Sequence, residues 1–127
     1  MKILSLNGGG SLGYITLGLL ERLEEEAGMP CYKIFDLISG VSTGAIAGFG
    51  LANGSSAKEI KELYKKFIPS IFKNKSGLIA SLWKPYYDIK NLEKSIQDNF
   101  GNTMLSSAKT NFMCYATKLN EIMEKRA

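Results

Sequence analysis

Twice in its first 54 residues the chain runs from an apolar, β-capable stretch into glycine and then straight into helical periodicity. The first run, KILSL (2–6), ends in Asn7 and three glycines, and from Gly13 apolar residues recur at helical spacing. The second, FDLISG (35–40), enters Val41-Ser42-Thr43, and TGAIAGFGLANG (43–54) follows as a helix of small residues. Strand, helix, strand, helix order predicts an α/β domain, with helices packed on a mainly parallel sheet. No other feature constrains the fold as tightly.

The rest of the chain fits one domain of 127 residues, without repeat, linker or low-complexity segment. Ile15, Leu19, Leu20, Leu23 and Ala27 are expected to face the core, with Glu21, Arg22 and Glu24 to Glu26 mostly outside. Gly28 and Pro30 stop that helix. Ser56 with Glu59 reads as a capping box that opens a helix over AKEIKELYKKF. Residues 69–87 are aperiodic and aromatic and are expected to form an ordered loop. Asp88 reads as the cap of a helix over IKNLEKSIQDNF that ends at Gly101, and NFMCYATKL (111–119) is a third strand.

The two glycine turns carry the chemistry. Gly8, Gly10 and Gly13 stand in GxGxxG spacing between strand and helix, the pattern that cradles a pyrophosphate in dinucleotide folds. That reading also needs an acidic residue near the end of the second strand, whereas Asp36 lies before it. A nucleotide-binding module is therefore disfavoured. Gly40, Ser42 and Gly44 form GxSxG between strand and helix, the sequence of a nucleophile elbow. Glycine is needed at both flanks because a side chain there would strike the neighbouring strand or helix. The competing reading of Ser42 is an ordinary helix cap. Acyl transfer builds negative charge on a carbonyl oxygen, and amides of Gly8, Gly9 and Gly10 together with Thr43 N–H are the candidate donors.

A serine hydroxyl needs a base, and the chain has no histidine. With Cys31 and Cys114 far apart, neither a zinc site nor any other metal site is expected, and no cofactor is implied. The cysteine usage suits a reduced, intracellular protein. MKILSLNGGG shows no secretory signal, and no apolar run reaches the about 18 residues of a membrane helix. The expected location is cytoplasmic, or peripheral at membranes. The net charge of +4 is a mild bias toward anionic surfaces and is no argument for nucleic acid.

The run ILSLNGGGSLG, followed by LLERLEEEAGMPCYKIFDLISGVSTGAIAGFGLANG and more weakly to about residue 119, resembles the patatin-like phospholipase family. The pairing of GGGxxG with GxSxG at this separation makes the resemblance specific. It implies a lipid acyl hydrolase with a serine–aspartate dyad, which dispenses with histidine. Ser42 then corresponds to the nucleophile, Gly8, Gly9 and Gly10 to the oxyanion loop, and a lipid ester to the substrate.

The chain departs from the family pattern in three places. Asn7 stands where an aspartate is usual, and Leu12 where a basic residue is usual. The Asp-Gly-Gly or Asp-Gly-Ala motif that supplies the dyad aspartate is absent. Asp36 begins the strand that ends at Ser42, up to ~20 Å away, and a base must approach to about 3 Å. Asp88 and Asp98 read as a helix cap and a solvated helix position, and the glutamates as helix-surface residues. The chain is thus expected to be the amino-terminal part of a single patatin-like domain (1–127), with little or no turnover alone. A non-catalytic lipid-binding or regulatory remnant of the fold is the alternative.

The stretch IPSIFKNKSGLIASLWKPYY mixes Phe72, Trp83, Tyr86 and Tyr87 with Lys73, Lys75 and Lys84. Two readings stand for it: packing beneath a long loop, or peripheral contact with an anionic membrane at headgroup level. Lys61, Lys65 and Lys66 are expected to form a solvated stripe. Oligomeric state is not legible.

Overall fold

The computed structural model describes residues 1–72 and 89–116. The chain opens with strand β1 (Ile3–Leu6), a glycine turn ending in a short 3-10 segment (Gly10–Leu12), and helix α1 (Gly13–Ala27). A single-turn helix α2 (Cys31–Ile34) precedes strand β2 (Leu37–Val41) and helix α3 (Thr43–Ala52). Helices α4 (Ala57–Phe72) and α5 (Ile89–Phe100) and a 3-10 turn lead to strand β3 (Asn111–Tyr115). Both β2 pairings are parallel, so the sheet order is β1-β2-β3 with β2 in the middle. The α/β fold expected from the sequence is the fold observed.

Register and crossover handedness decide which sheet face is covered. Leu4, Ile38 and Phe112 lie side by side, as do Leu6, Gly40 and Cys114. A Cβ placed on Gly48 of α3 would touch Phe112, Ile38 and Leu6, so α3 packs on this face. Both crossovers step in the same direction across the sheet, and right-handedness puts their helices on one side. The opposite face carries Ile3, Val41, Met113 and Tyr115, which are 41% to 64% exposed. Leu6, Leu17, Leu20, Ile38, Leu51, Ile60 and Tyr64 form the buried core between sheet and helices. Phe49 extends it, meeting Phe100 and Phe112 edge-on at centroid distances of 5.3 and 5.7 Å.

Helix α1 meets the sequence expectation at Leu20 and Leu23, which lie in or against the core, and departs from it elsewhere. Leu17 and Leu20 are buried, whereas Ile15 and Leu19 point outward at 63% and 66% exposure. The inward face continues through Glu21 and Glu24, at i+4 and i+7 from Leu17. Glu21 is paired with Lys61 of α4. Glu24 accepts hydrogen bonds from the N–H of Cys31 (2.7 Å) and of Ala57 (2.8 Å). One carboxylate therefore caps the N-termini of α2 and α4 together, where the helix dipole favours negative charge. Of the residues expected outside, Glu21 and Glu24 are half-buried because their carboxylates found donors there, while Arg22, Glu25 and Glu26 are exposed.

The Ser56–Glu59 capping box forms as read: Ser56 N–H donates to Glu59 Oε2 (2.8 Å), and Glu59 N–H donates to Ser56 Oγ (3.2 Å). Helix α4 then runs past Pro69 to Phe72, longer than the sequence reading, which ended at Phe67. A proline removes one helix hydrogen bond at a cost of about 3 kcal/mol. It does not stop a helix whose earlier turns are held by buried Ile60 and Tyr64. The aromatic loop from residue 73 on and the Asp88 cap lie outside the described residues. Among the described residues, no helix is long and apolar enough to cross a membrane.

Candidate active site

Parallel strands deliver their C-terminal ends to one edge of the sheet, and both glycine turns emerge there. Leu6 and Gly40 are register partners, so Asn7-Gly8 leaves β1 beside the point where Val41-Ser42 leaves β2. The sequence thus places the two turns side by side before any side chain is considered.

Ser42 occupies the bend itself. Its backbone stands at φ 56° and ψ −129°, and it is the one non-glycine residue of positive φ among the described residues. Such a conformation costs of order 1–3 kcal/mol and persists only where surroundings enforce it. A capping serine would adopt extended backbone and accept from an amide in the first turn. Ser42 does neither, since its side chain makes no cap hydrogen bond to α3. The helix-cap reading fails on both counts. Its carbonyl still closes the first turn, accepting from Ala45 N–H at 2.9 Å.

The flanking glycines are sterically required. A Cβ on Gly44 would strike the backbone oxygen of Leu6 and lie 2.7 Å from that of Asn7. A Cβ on Gly40 would strike the oxygen of Gly44 and lie 2.6 Å from Ala45 N. The expectation that side chains here would collide with strand and helix is met atom by atom. Gly8 completes the enclosure: its Cβ would sit 2.9 Å from Ser42 Cβ, 3.2 Å from Val41 O and 3.6 Å from Ser42 Oγ. The first loop therefore touches the serine through Gly8. Gly9 faces Leu12, and Gly10 takes the left-handed conformation (φ 56°) that starts the turn into α1.

In the first turn of α3 the N–H groups of Thr43 and Gly44 have no intrahelical acceptor, and no side chain caps them. They form the positive end of a ten-residue helix beside Ser42. Gly13, the last glycine of the first loop, abuts Tyr64 of α4, whose hydroxyl donates to Thr43 O at 2.6 Å. Burial pushes the Tyr64 phenol above its ordinary value. Sequence reading did not single out Tyr64. Its place beside Ile60 and Leu63 signals a core position, but nothing in the sequence names Thr43 as its partner.

The described aspartates stand elsewhere. Asp36 precedes β2 at the far end of the sheet, where its Oδ2 accepts from Lys2 N–H at 2.6 Å. Asp98 is exposed on α5. No described side chain is hydrogen bonded to Ser42 Oγ. Among the described residues, no group of His, Cys, Asp or Glu side chains could hold a metal ion. Cys31 is buried and its thiol is pushed up to about 12, first by burial and then by Glu24.

Comparison with known proteins identifies the family. The patatin-like phospholipase family model matches residues 4–124. A cUMP-AMP-activated phospholipase of Escherichia coli is 41% identical over 81 residues, covering 64% of this chain and 25% of that protein. A cGAMP-activated phospholipase of Vibrio cholerae is 36% identical over 121 residues, covering 80% of this chain and 33% of that protein. The human calcium-independent phospholipase A2-gamma is 34% identical over 119 residues, covering 90% of this chain and 15% of that protein. The chain thus spans a third or less of the length of these relatives. With the matched region running almost from end to end, the chain belongs to the patatin-like phospholipase family.

Proposed function

We propose that this chain carries the nucleophile half of a serine acyl hydrolase acting on lipid esters. The observation that carries the reading is the strained backbone of Ser42 at a strand-to-helix bend, with Gly8 packed against it. Ser42 Oγ attacks the ester carbonyl carbon as its proton passes to an aspartate of a Ser–Asp dyad. The negative charge that develops on the carbonyl oxygen is met by Thr43 N–H and by amides of the Gly8–Gly10 loop. Collapse expels the alcohol and leaves an acyl-serine, which water hydrolyses to free acid and restored hydroxyl. Gly13, Gly40 and Gly44 hold the shape of the two turns.

We set aside all three aspartates of the sequence: Asp36 at the far end of the sheet, Asp98 exposed on α5, and Asp88, which reads as a helix cap and lies outside the described residues. We take the dyad aspartate to lie in sequence beyond these 127 residues or on another chain. A non-catalytic lipid-binding role is the second reading, favoured by the lack of any described hydrogen-bonding partner on Ser42 Oγ. Hydrolysis of a short-chain ester and of phospholipid vesicles separates the two. The expected result is little turnover by the 127 residues alone and turnover by the protein carrying a downstream Asp-Gly-Gly or Asp-Gly-Ala segment, lost in Ser42→Ala. Equal inactivity of both proteins would favour the binding role. Turnover by the 127 residues that Ser42→Ala abolishes would place the base inside them.

A further inference from the structure

Two separate loops make the proposed oxyanion site, and something must fix their spacing. Thr43 opens α3 on the Ser42 side, and Gly13 opens α1 on the glycine-loop side. Each is followed by a helix, so a small rotation of either helix would move its loop. Among the described residues, Thr43 Oγ1 is buried and has no hydrogen-bond partner.

Tyr64 touches both. It is 3% exposed, its hydroxyl donates to Thr43 O at 2.6 Å, and its ring fills the place of a side chain at Gly13. A Cβ on Gly13 would lie 2.6 Å from Tyr64 Cε1 and 2.9 Å from its hydroxyl oxygen. The tyrosine is itself well seated. Helix α4 is tied to α1 at its first turn by Glu24 on Ala57 N–H and one turn later by Lys61 with Glu21. The ring thus enters from a helix that belongs to neither loop, resting on one and hydrogen bonded to the other.

Resting on the hydrolase reading above, we propose that Tyr64 is a positioning residue for catalysis: it sets the separation of the Gly8–Gly10 amides from Ser42 and Thr43 N–H. The hydroxyl matters because it holds a backbone carbonyl one peptide beyond the Thr43 amide. The ring matters because Gly13 leaves it room. A displaced donor costs more in the transition state than in substrate binding, since the oxyanion exists only in the former. The chemical step should therefore suffer and binding should not.

The test is Tyr64→Phe, which keeps the ring on Gly13 and removes the donor. In the protein that carries the downstream aspartate segment, covalent labelling of Ser42 by a fluorophosphonate is followed for maximal rate and half-saturating concentration, alongside thermal unfolding and amide spectra by NMR. The expected result is a maximal rate lowered ~10-fold, a fraction of what loss of a whole oxyanion donor costs. Half-saturation should stay within about twofold, because binding is spared. The amide resonances of Gly10 to Gly13 should move together with that of Thr43. An unchanged rate in a folded variant overturns the proposal. Should Ser42 of the unsubstituted protein not label at all, the hydrolase reading fails instead, and the spectra decide alone. Joint movement of both loops then upholds the positioning role, and an undisturbed glycine loop overturns it. Tyr64→Met, a smaller and more adaptable side chain, serves as the second variant if Phe does not fold, with the same outcomes.

Discussion

Gly8 and Ser42 belong to different strand ends, yet they approach so closely that a methyl group on Gly8 would lie 2.9 Å from Ser42 Cβ. Parallel pairing of β1 with β2 brings them together, and the strain at Ser42 holds its hydroxyl beside the glycine loop. Gly8→Ala should therefore injure site and fold at once. Overpacking of this kind costs typically about 1–3 kcal/mol, read as a lowered midpoint in urea. Ser42 labelling should fall in the fraction that remains folded. A stable variant with normal labelling would mean that the loop does not press on the serine.

Gly44→Ala should be worse. Its methyl meets the backbone of Leu6 and Asn7, and backbone in a sheet cannot turn aside as a flexible side chain can. The expectation is loss of cooperative unfolding or of soluble protein, checked by circular dichroism and a thermal melt. Gly40→Ala, directed at Gly44 O and Ala45, should behave alike.

Glu24 offers a stability test away from the site. Its carboxylate serves Cys31 N–H and Ala57 N–H together. Loss of a helix cap costs about 0.5–2 kcal/mol, so Glu24→Ala should reach the upper end or beyond by uncapping two helices. Glu24→Gln retains one carbonyl oxygen and should fall between. Urea unfolding of both variants measures the order.

Cysteine chemistry should divide cleanly. Cys31 is buried with its thiol pushed up to about 12, whereas Cys114 is exposed on β3. A disulfide reagent at pH 8 should titrate one thiol in the folded protein and two after unfolding. Because the folded Cys31 thiol is raised above its ordinary value of 9.0, its contribution to stability is complete below about pH 9. It is lost as pH climbs toward 12, because the unfolded thiol ionises first. Cys31→Ser should flatten that alkaline decline.

The orientation of α1 shows what periodicity alone conveys. Alternating runs and glycine punctuation made strands, helices and the neighbouring turns legible, because those follow from local backbone chemistry. The inward face of α1 followed only in part: Leu20 and Leu23 pack in or against the core as expected, whereas Ile15 and Leu19 face outward and Leu17 takes an inward place. Partners 33 to 40 residues away, Ala57 for Glu24 and Lys61 for Glu21, settled which stripe turned in. Leu17→Ala should cost about 2–5 kcal/mol as a buried truncation, and Leu19→Ala under about 0.5 kcal/mol as a surface change. Similar losses in the two would restore the original face.

The site was legible for a related reason. Gly8, Gly40, Ser42 and Gly44 act through backbone geometry, and residue type with spacing encodes that directly. Tyr64 acts through a contact across 21 residues that spacing cannot specify. The proposed aspartate base has no Asp-Gly-Gly or Asp-Gly-Ala motif in the sequence, and Asp36 is held by Lys2 N–H at the far end of the sheet.

The central claim is that Ser42 is held as a nucleophile. In the protein that carries the downstream aspartate segment, a fluorophosphonate that forms a covalent adduct, located by peptide mass spectrometry, tests it most directly. The account predicts a single adduct on Ser42, absent in Ser42→Ala, with every other serine unmodified. A folded protein that labels nowhere, or labels other serines as readily as Ser42, would contradict it.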